Sequence, residues 1–140
     1  MYEYKFKLKR VIDGDTVDGI IDLGFNVYHH ARIRLADINA PETRLQKSII
    51  NKKARAKEKE KGLLAKKRLL QLLKDGESQP EGLFIKTHLD KKGKYGRVLG
   101  EILYIYARDL HNANPNSNPW IGWRSVNHQM LSEGLVEPYK

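Results

Sequence analysis

The sequence contains no cysteine among its 140 residues. This absence excludes disulfide partners, thiolate metal sites and cysteine nucleophiles, although secreted and cytosolic proteins can both lack the residue. Long apolar runs are missing as well. The first ten residues, MYEYKFKLKR, alternate polar with apolar side chains, which excludes a signal peptide or a membrane anchor in this segment. If Met1 is the native start, an intracellular location is favoured; otherwise the compartment stays open.

Acidic residues are also scarce relative to basic ones. The chain has 17 Asp and Glu against 26 Lys and Arg, which gives a formal charge of +9, and its pI is near 9.7. A basic surface attracts polyanions, so we expect nucleic acid first, an anionic membrane second and an acidic protein third. Twelve of the basic residues lie between Arg44 and Lys74. This run supports polyanion binding, but it also fits a solvated helix face.

What is present indicates one globular domain spanning residues 1–140. Hydrophobic residues make up 40% and charged residues 31% of the chain, which is ordinary for a globular protein. A chain of this length buries roughly two-thirds of its unfolded surface, enough for one core. We find no internal repeat and no linker that would separate two domains.

Alternation and helical periodicity predict the order of the elements. Strands are expected over residues 2–11, 16–23, 25–38, 82–89 and 97–106, and helices over 48–74 and 125–135. The last two strands form a hairpin around residues 90–96, Gly76 is placed to stop the first helix, and Ser125 to cap the second. The Asn/Pro-rich residues 108–119 are expected to form a loop. This order predicts an α+β, mainly β fold: a five-stranded OB-fold barrel with about three helices.

Three short segments carry polar side chains that suggest chemistry. VIDGDTV, residues 11–17, reads as a hairpin turn, or as a pair of carboxylates, Asp13 and Asp15, offered to a hard cation. RLADINAPE, residues 34–42, places Arg34 and Glu42 around a polar strand end, which is also compatible with a surface ion pair. KYGRVLG, residues 94–100, places Arg97 at a glycine turn.

Together, VIDGDTV, RIRLADINAPE and KYGRVLGEILYIY resemble the signature of the staphylococcal nuclease (thermonuclease) family in order and spacing. The resemblance runs from about Tyr4 to the C-terminus. It implies a five-stranded OB barrel with helices. It also implies a calcium-dependent phosphodiesterase that acts on DNA and RNA and leaves a 3′-phosphate. The expected partner is therefore a nucleic acid rather than a membrane, and we expect a monomer.

The resemblance also implies a role for individual residues. Glu42 would activate the attacking water, while Arg34 and Arg97 would grip the phosphate, for which their planar guanidinium groups are suited. The metal ligands would be Asp15, position 39 and the carbonyl of Ala40. Contacts to the substrate would come from Lys94, Tyr95 and Tyr139.

Asn39 departs from the family pattern, which has Asp at this position. An Asn carbonyl is a legitimate calcium ligand but brings no negative charge, so we expect one Ca²⁺ held more weakly. Asp37 does not obviously compensate, because on an extended chain it would lie about 6–7 Å further back.

Two other classes of function stay open on the sequence. The first is a catalytically weak or inactive OB-type module that binds nucleic acid, with Tyr95, Trp120 and Trp123 as stacking surfaces; packing under the last helix is the alternative for the tryptophans. The second is a membrane or polyanion binder. Arg34, Glu42 and Arg97 favour catalysis, because a binding module does not need all three. The five histidines show no metal-ligand spacing.

Overall fold

The computed structural model describes residues 2–41, 52–88, 97–105 and 122–139, without the side chains of Tyr2 and Arg97. The strands are β1 (Tyr2–Asp13), β2 (Thr16–Asp22), β3 (Tyr28–Leu35), β4 (Ile38–Asn39), β5 (Leu83–His88), β6 (Arg97–Ile105), β7 (Trp123–Ser125) and β8 (Glu137–Pro138). The helices are α1 (Lys52–Ser78) and α2 (Val126–Ser132). The predicted residues 48–51 of the first helix, the turn 90–96 and the loop 108–119 lie outside the described residues.

Five strands close into a barrel. Their order is β3–β2–β1–β5–β6, with antiparallel neighbours, and the parallel pairing of β3 with β6 completes the ring. β7 pairs with β6, while β4 and β8 form a separate two-stranded sheet. The predicted mainly β barrel is confirmed. The helix count was slightly wrong, because the described residues contain two helices rather than about three.

The barrel interior is filled by the inward residues of the alternating strands. Val17, Ile33, Ile85 and Ile102 are fully buried, as the period of two in a strand requires. Both helices contribute side chains to the same cluster, for example Leu69 from α1 and Met130 from α2. In the described part of the chain no helix is long and apolar enough to cross a membrane.

Helix α1 differs from its predicted form in two ways. It continues past Gly76 to Ser78, so Gly76 does not stop it. A methyl group at Gly76 would lie 2.5 Å from Leu83 and 2.7 Å from Tyr104, so this glycine lets the helix pack closely against β5 and β6. Leu63 and Leu64, which were expected on the apolar side, are 47% and 53% exposed, whereas Gly62 and Ala65 are buried.

The third strand, β3, begins at Tyr28, three residues later than predicted. Residues 25–27 lie in a turn, because Gly24, Phe25 and Asn26 all have positive φ, at 84°, 53° and 62°. Such a conformation suits Gly and Asn but is unusual for a bulky residue. Phe25 is nevertheless at this position, and its side chain is fully exposed, at 100%.

Asn127 connects α2 to the barrel. Its amide nitrogen donates to the carbonyls of Ala36 (3.1 Å) and Gly100 (3.2 Å), and its Oδ1 accepts the N–H of Ile102 at 3.1 Å. The side chain is 5% exposed, so these partners satisfy a buried amide. The predicted cap of this helix is confirmed, since Ser125 Oγ accepts the N–H of His128 at 3.2 Å.

Candidate functional site

The site is built around the turn between β1 and β2. Gly14 and Asp15 form this turn, and a methyl group at Gly14 would lie 2.7 Å from Ala65 and 2.8 Å from Ala40. Both distances are shorter than real methyl contacts, so the turn can approach α1 and the segment after β4 only because residue 14 is glycine. This close approach brings Asp15 next to Ala40.

Asp15 is held by donors from three parts of the chain. Its Oδ2 accepts the N–H of Ala40 at 2.8 Å, and its Oδ1 accepts the hydroxyl of Thr16 at 2.9 Å. Arg34 Nη2 lies 3.4 Å from Oδ2. The backbone carbonyl of Asp15 also accepts the N–H of Leu35 at 2.8 Å. The carboxylate of this 7% exposed residue therefore has a fixed orientation.

Arg34 projects from the end of β3 into the same place. Its Nη1 donates to the carbonyl of Leu35 at 2.9 Å, and its Nη2 donates to Oδ1 of Asn39 at 3.3 Å. Its guanidinium carbon lies 5.6 Å from the centre of the Tyr139 ring, within the range of a cation–π contact. The ion pair with Asp15, the two hydrogen bonds and the contact with the Tyr139 ring together orient the guanidinium.

The β4–β8 pair brings the C-terminal segment to this site. Asn39 pairs with Glu137 and Ile38 with Pro138, while Tyr139 N–H donates to the carbonyl of Asp37 at 2.9 Å. Asp37 lies in a turn with a φ of 64°, so it does not share a strand face with Asn39 in the way an extended chain would allow. The turn gives a physical reason why Asp37 does not replace the missing carboxylate.

Asp13 and Asp15 are neighbours with opposite pKa shifts. Burial raises the pKa of Asp13 to about 6, and the Asp15 carboxylate adds to this rise. Burial also disfavours ionised Asp15. However, hydrogen bonds from Asp13 and Ala40 and the charge of Arg34 outweigh that effect, and the pKa of Asp15 is lowered. Asp15 therefore remains an anion at neutral pH.

The donors present suit a hard cation. A carboxylate offers about four lone-pair positions, and the hydrogen bonds from Ala40, Thr16 and Asp13 use three of those of Asp15. The amide oxygen of exposed Asn39 and the carbonyl of Ala40 are the nearby neutral oxygens, and Ca²⁺ prefers such ligands. Within the described ranges no three His, Asp or Glu residues form a metal cluster. Further ligands would therefore be water, substrate or residues elsewhere in the chain.

A cavity of about 290 Å³ opens beside these residues. Asn39, Ala40 and Pro41 form one wall, while Glu58 and Lys61 of α1 line another side. Glu137, which pairs with Asn39 in the sheet, also lines the cavity. Space for a ligand is thus available next to Asn39.

The structure brings together five of the nine residues predicted from the sequence: Asp15, Arg34, Asn39, Ala40 and Tyr139. The backbone of Arg97 pairs with Arg32, two residues from Arg34 along β3. Glu42, Lys94 and Tyr95 lie outside the described residues, and so does the side chain of Arg97.

Two supporting residues were missed by sequence reasoning. The role of Gly14 was hidden because Asp-Gly is also a common turn, and only the packing reveals the contact with Ala40. Asn127 supports the turn after β3 through the carbonyl of Ala36. A polar residue among apolar ones in a short helix was the available signal for it.

Comparison with protein-family models identifies a family for this chain. The family model described as staphylococcal nuclease homologue matches residues 32–140, which include Arg34, Asn39, Ala40 and Tyr139. The search of curated proteins returned no match.

Proposed function

Because the chain belongs to the family of staphylococcal nuclease homologues, we propose that it is a Ca²⁺-dependent nuclease that hydrolyses phosphodiester bonds in DNA, RNA or both. The observation that carries this proposal is the convergence of Asp15, Arg34 and Asn39. Arg34 Nη2 lies 3.4 Å from the carboxylate of Asp15 and 3.3 Å from the amide oxygen of Asn39. An anion, a guanidinium and a neutral oxygen thus meet beside an open cavity.

Arg34 binds the phosphate in this proposal. Its partners in the described site are one carboxylate, two neutral oxygens and the ring of Tyr139. The guanidinium is thus oriented in advance, and a phosphate oxygen can displace the weak 3.3 Å contact to Asn39. Arg97 provides the second guanidinium, consistent with the register of its backbone beside Arg32.

Cleavage further requires an activated water and positive charge where the phosphorus gains negative charge. Glu42 accepts a proton from the attacking water, since an ordinary Glu is ionised near pH 7. Asp15, Asn39 and the Ala40 carbonyl hold Ca²⁺, which supplies Lewis acidity and orientation when bound. Lys94, Tyr95 and Tyr139 contact the substrate, and the products end in a 3′-phosphate.

The test is a digestion of single- and double-stranded DNA and RNA with Ca²⁺, Mg²⁺ or a chelator, followed by identification of the termini. Glu42→Gln is the matched variant, because it keeps the size of the side chain and removes its basicity. We expect Ca²⁺-dependent cleavage that Glu42→Gln lowers by orders of magnitude while nucleic-acid binding persists. No cleavage at millimolar metal would contradict the proposal.

The second candidate is an OB-type nucleic-acid-binding module without effective catalysis. Asn39 favours it, because Asp15 is the one carboxylate among the three proposed metal ligands, whereas an Asp at position 39 would give two. Trp123 does not add to this candidate as an open stacking surface, since its ring packs edge-on against Phe84 with the centres 5.2 Å apart. Retained binding with no cleavage under any metal would support this candidate.

A further inference from the structure

A second surface with features of a nucleic-acid site lies on the outside of the barrel. Its side chains form rows across β1, β2 and β3. Lys5 lies in a row with Asp22 and Tyr28, Lys7 with Ile20 and His30, and Arg10 with Asp18 and Arg32. We call the outward residues of these rows the strand-face strip: Lys5, Lys7, Arg10, Tyr28, His30 and Arg32.

The strip is continuous with the candidate site. Tyr28, His30, Arg32 and Arg34 alternate along β3 and therefore share one face of the sheet. Tyr28 and Arg34 are six positions apart, which corresponds to about 20 Å at the rise of a strand. A ligand held at Arg34 would reach Tyr28 by following the strand.

The far end of the strip forms a groove. A concave region of about 530 Å³ is lined by Lys5, Lys7, Ile20, Tyr28 and His30, together with Phe6 and Asp22. This volume falls within the usual range for small-ligand sites, about 300–1,000 Å³. Tyr28 is 57% exposed, so its ring is accessible from solvent.

The net charge around the strip is positive, although the carboxylates of Asp18 and Asp22 lie in the same rows. Asp18 lies between Arg10 (2.9 Å) and Arg32 (2.8 Å), so this group keeps one net positive charge. Asp22 Oδ1 accepts the N–H of Gly24 at 2.9 Å and serves the turn. Lys5 and Lys7 are exposed and bring two further cations to the groove.

We propose that the strand-face strip binds single-stranded nucleic acid extending from the candidate active site, with Lys5 and Lys7 at phosphates and Tyr28 and His30 at bases. The inference deepens the proposed function and rests on it for the direction of the strand. A basic groove with aromatic side chains is the usual means of holding single strands. A duplex fits less well, because its stacked bases cannot present a face to Tyr28.

A membrane is the competing occupant, because Leu23, Phe25 and Val27 are exposed at the tip of the same hairpin. The arrangement of the charges favours the nucleic acid. The cations follow the strand toward Arg34 and line a concave groove, whereas a lipid-binding surface would place them around the convex tip.

The experiment measures binding of a labelled oligothymidylate of about 12 nucleotides by fluorescence anisotropy in chelator, so that no cleavage is needed. Tyr28→Ala should weaken binding by about 5- to 150-fold, the range for loss of one stacked base. Lys7→Gln should reduce the slope of log K against log salt by about 0.7. Phe25→Asn is the matched control, since it removes an exposed aromatic three residues away and suits the positive φ.

Each outcome decides the proposal. Unchanged affinity and salt slope in both strip variants would overturn it. So would binding to vesicles of anionic lipid that depends on Phe25, without any effect of Tyr28→Ala on the oligonucleotide. Unchanged melting temperatures would show that the variants fold. If Tyr28-dependent binding is found but no cleavage with Ca²⁺, the strip stands and the proposed nuclease activity fails.

Discussion

Replacing Asn39 with Asp should tighten Ca²⁺ binding. Asn39 Oδ1 lies 3.3 Å from Arg34 Nη2, and Asp15 Oδ2 lies 3.4 Å from the same nitrogen. A carboxylate at position 39 would therefore face Asp15 across the guanidinium. In the proposed site it would give the cation a second anionic ligand.

The size of the effect follows from the exposure of residue 39. Its side chain is exposed, so the dielectric is close to that of water. A dication and a carboxylate about 4 Å apart then attract each other by about 2 kcal/mol, equivalent to a roughly 30-fold change in affinity. Arg34 would also pair with the new carboxylate and offset part of this gain. We therefore expect Asn39→Asp to tighten binding by roughly tenfold.

Isothermal titration with CaCl₂ at constant ionic strength measures the change. Asn26→Asp is the matched control: it makes the same substitution at an exposed residue of the β2–β3 hairpin, and Asp tolerates the 62° φ there. The control should leave Ca²⁺ affinity unchanged. Equal or weaker affinity for Asn39→Asp would refute the assignment of residue 39 as a ligand.

Three further changes test the remaining parts of the account. Arg34→Ala should lower turnover by orders of magnitude in a nuclease assay with binding largely kept; parallel loss of both would make Arg34 only an anchor. Asn127→Ala should cost about 2–4 kcal/mol in urea unfolding, because three buried backbone groups lose their partner; a cost below about 0.5 kcal/mol would contradict that role. Hydrogen bonds from Arg32 and Arg10 lower the pKa of Asp18 to about 2. Ionised Asp18 therefore contributes under about 1 kcal/mol to the free energy of unfolding, because its partners are exposed. This contribution is complete above pH 4 and is lost toward pH 2. Asp18→Asn should therefore lower the free energy of unfolding by this small amount at pH 7 and leave it unchanged near pH 2. A loss of stability that persists near pH 2 would exclude the ion pairs as its cause.

The positions of the strands along the chain were predictable, because the alternation in β1, β2 and β5 reflects burial on one face of each strand. The end of α1 was not. Glycine usually ends helices, but Gly76 is buried against Leu83 and Tyr104, and this packing keeps the helix intact. The same limit applies to Leu63 and Leu64, whose exposure depends on how the helix lies on the barrel.

The candidate site was predictable where a motif is local and unpredictable where distant segments meet. Asp15, Arg34 and Asn39 were identified from their motifs, and the structure places them in contact. Gly14 packs so closely against Ala40 that an added methyl group would lie 2.8 Å away, and this tertiary contact has no local signal in the sequence. The groove at Tyr28 was likewise hidden, because it needs the register of three strands.

The measurement that tests the central claim most directly is cleavage of a defined oligonucleotide in Ca²⁺ and in chelator, with the new termini identified. The account predicts cleavage only when the metal is present, and products that carry a 3′-phosphate. In Arg34→Ala it predicts that this cleavage is lost. Cleavage that continues in chelator, or no cleavage at millimolar Ca²⁺, would contradict the proposed metal-dependent nuclease.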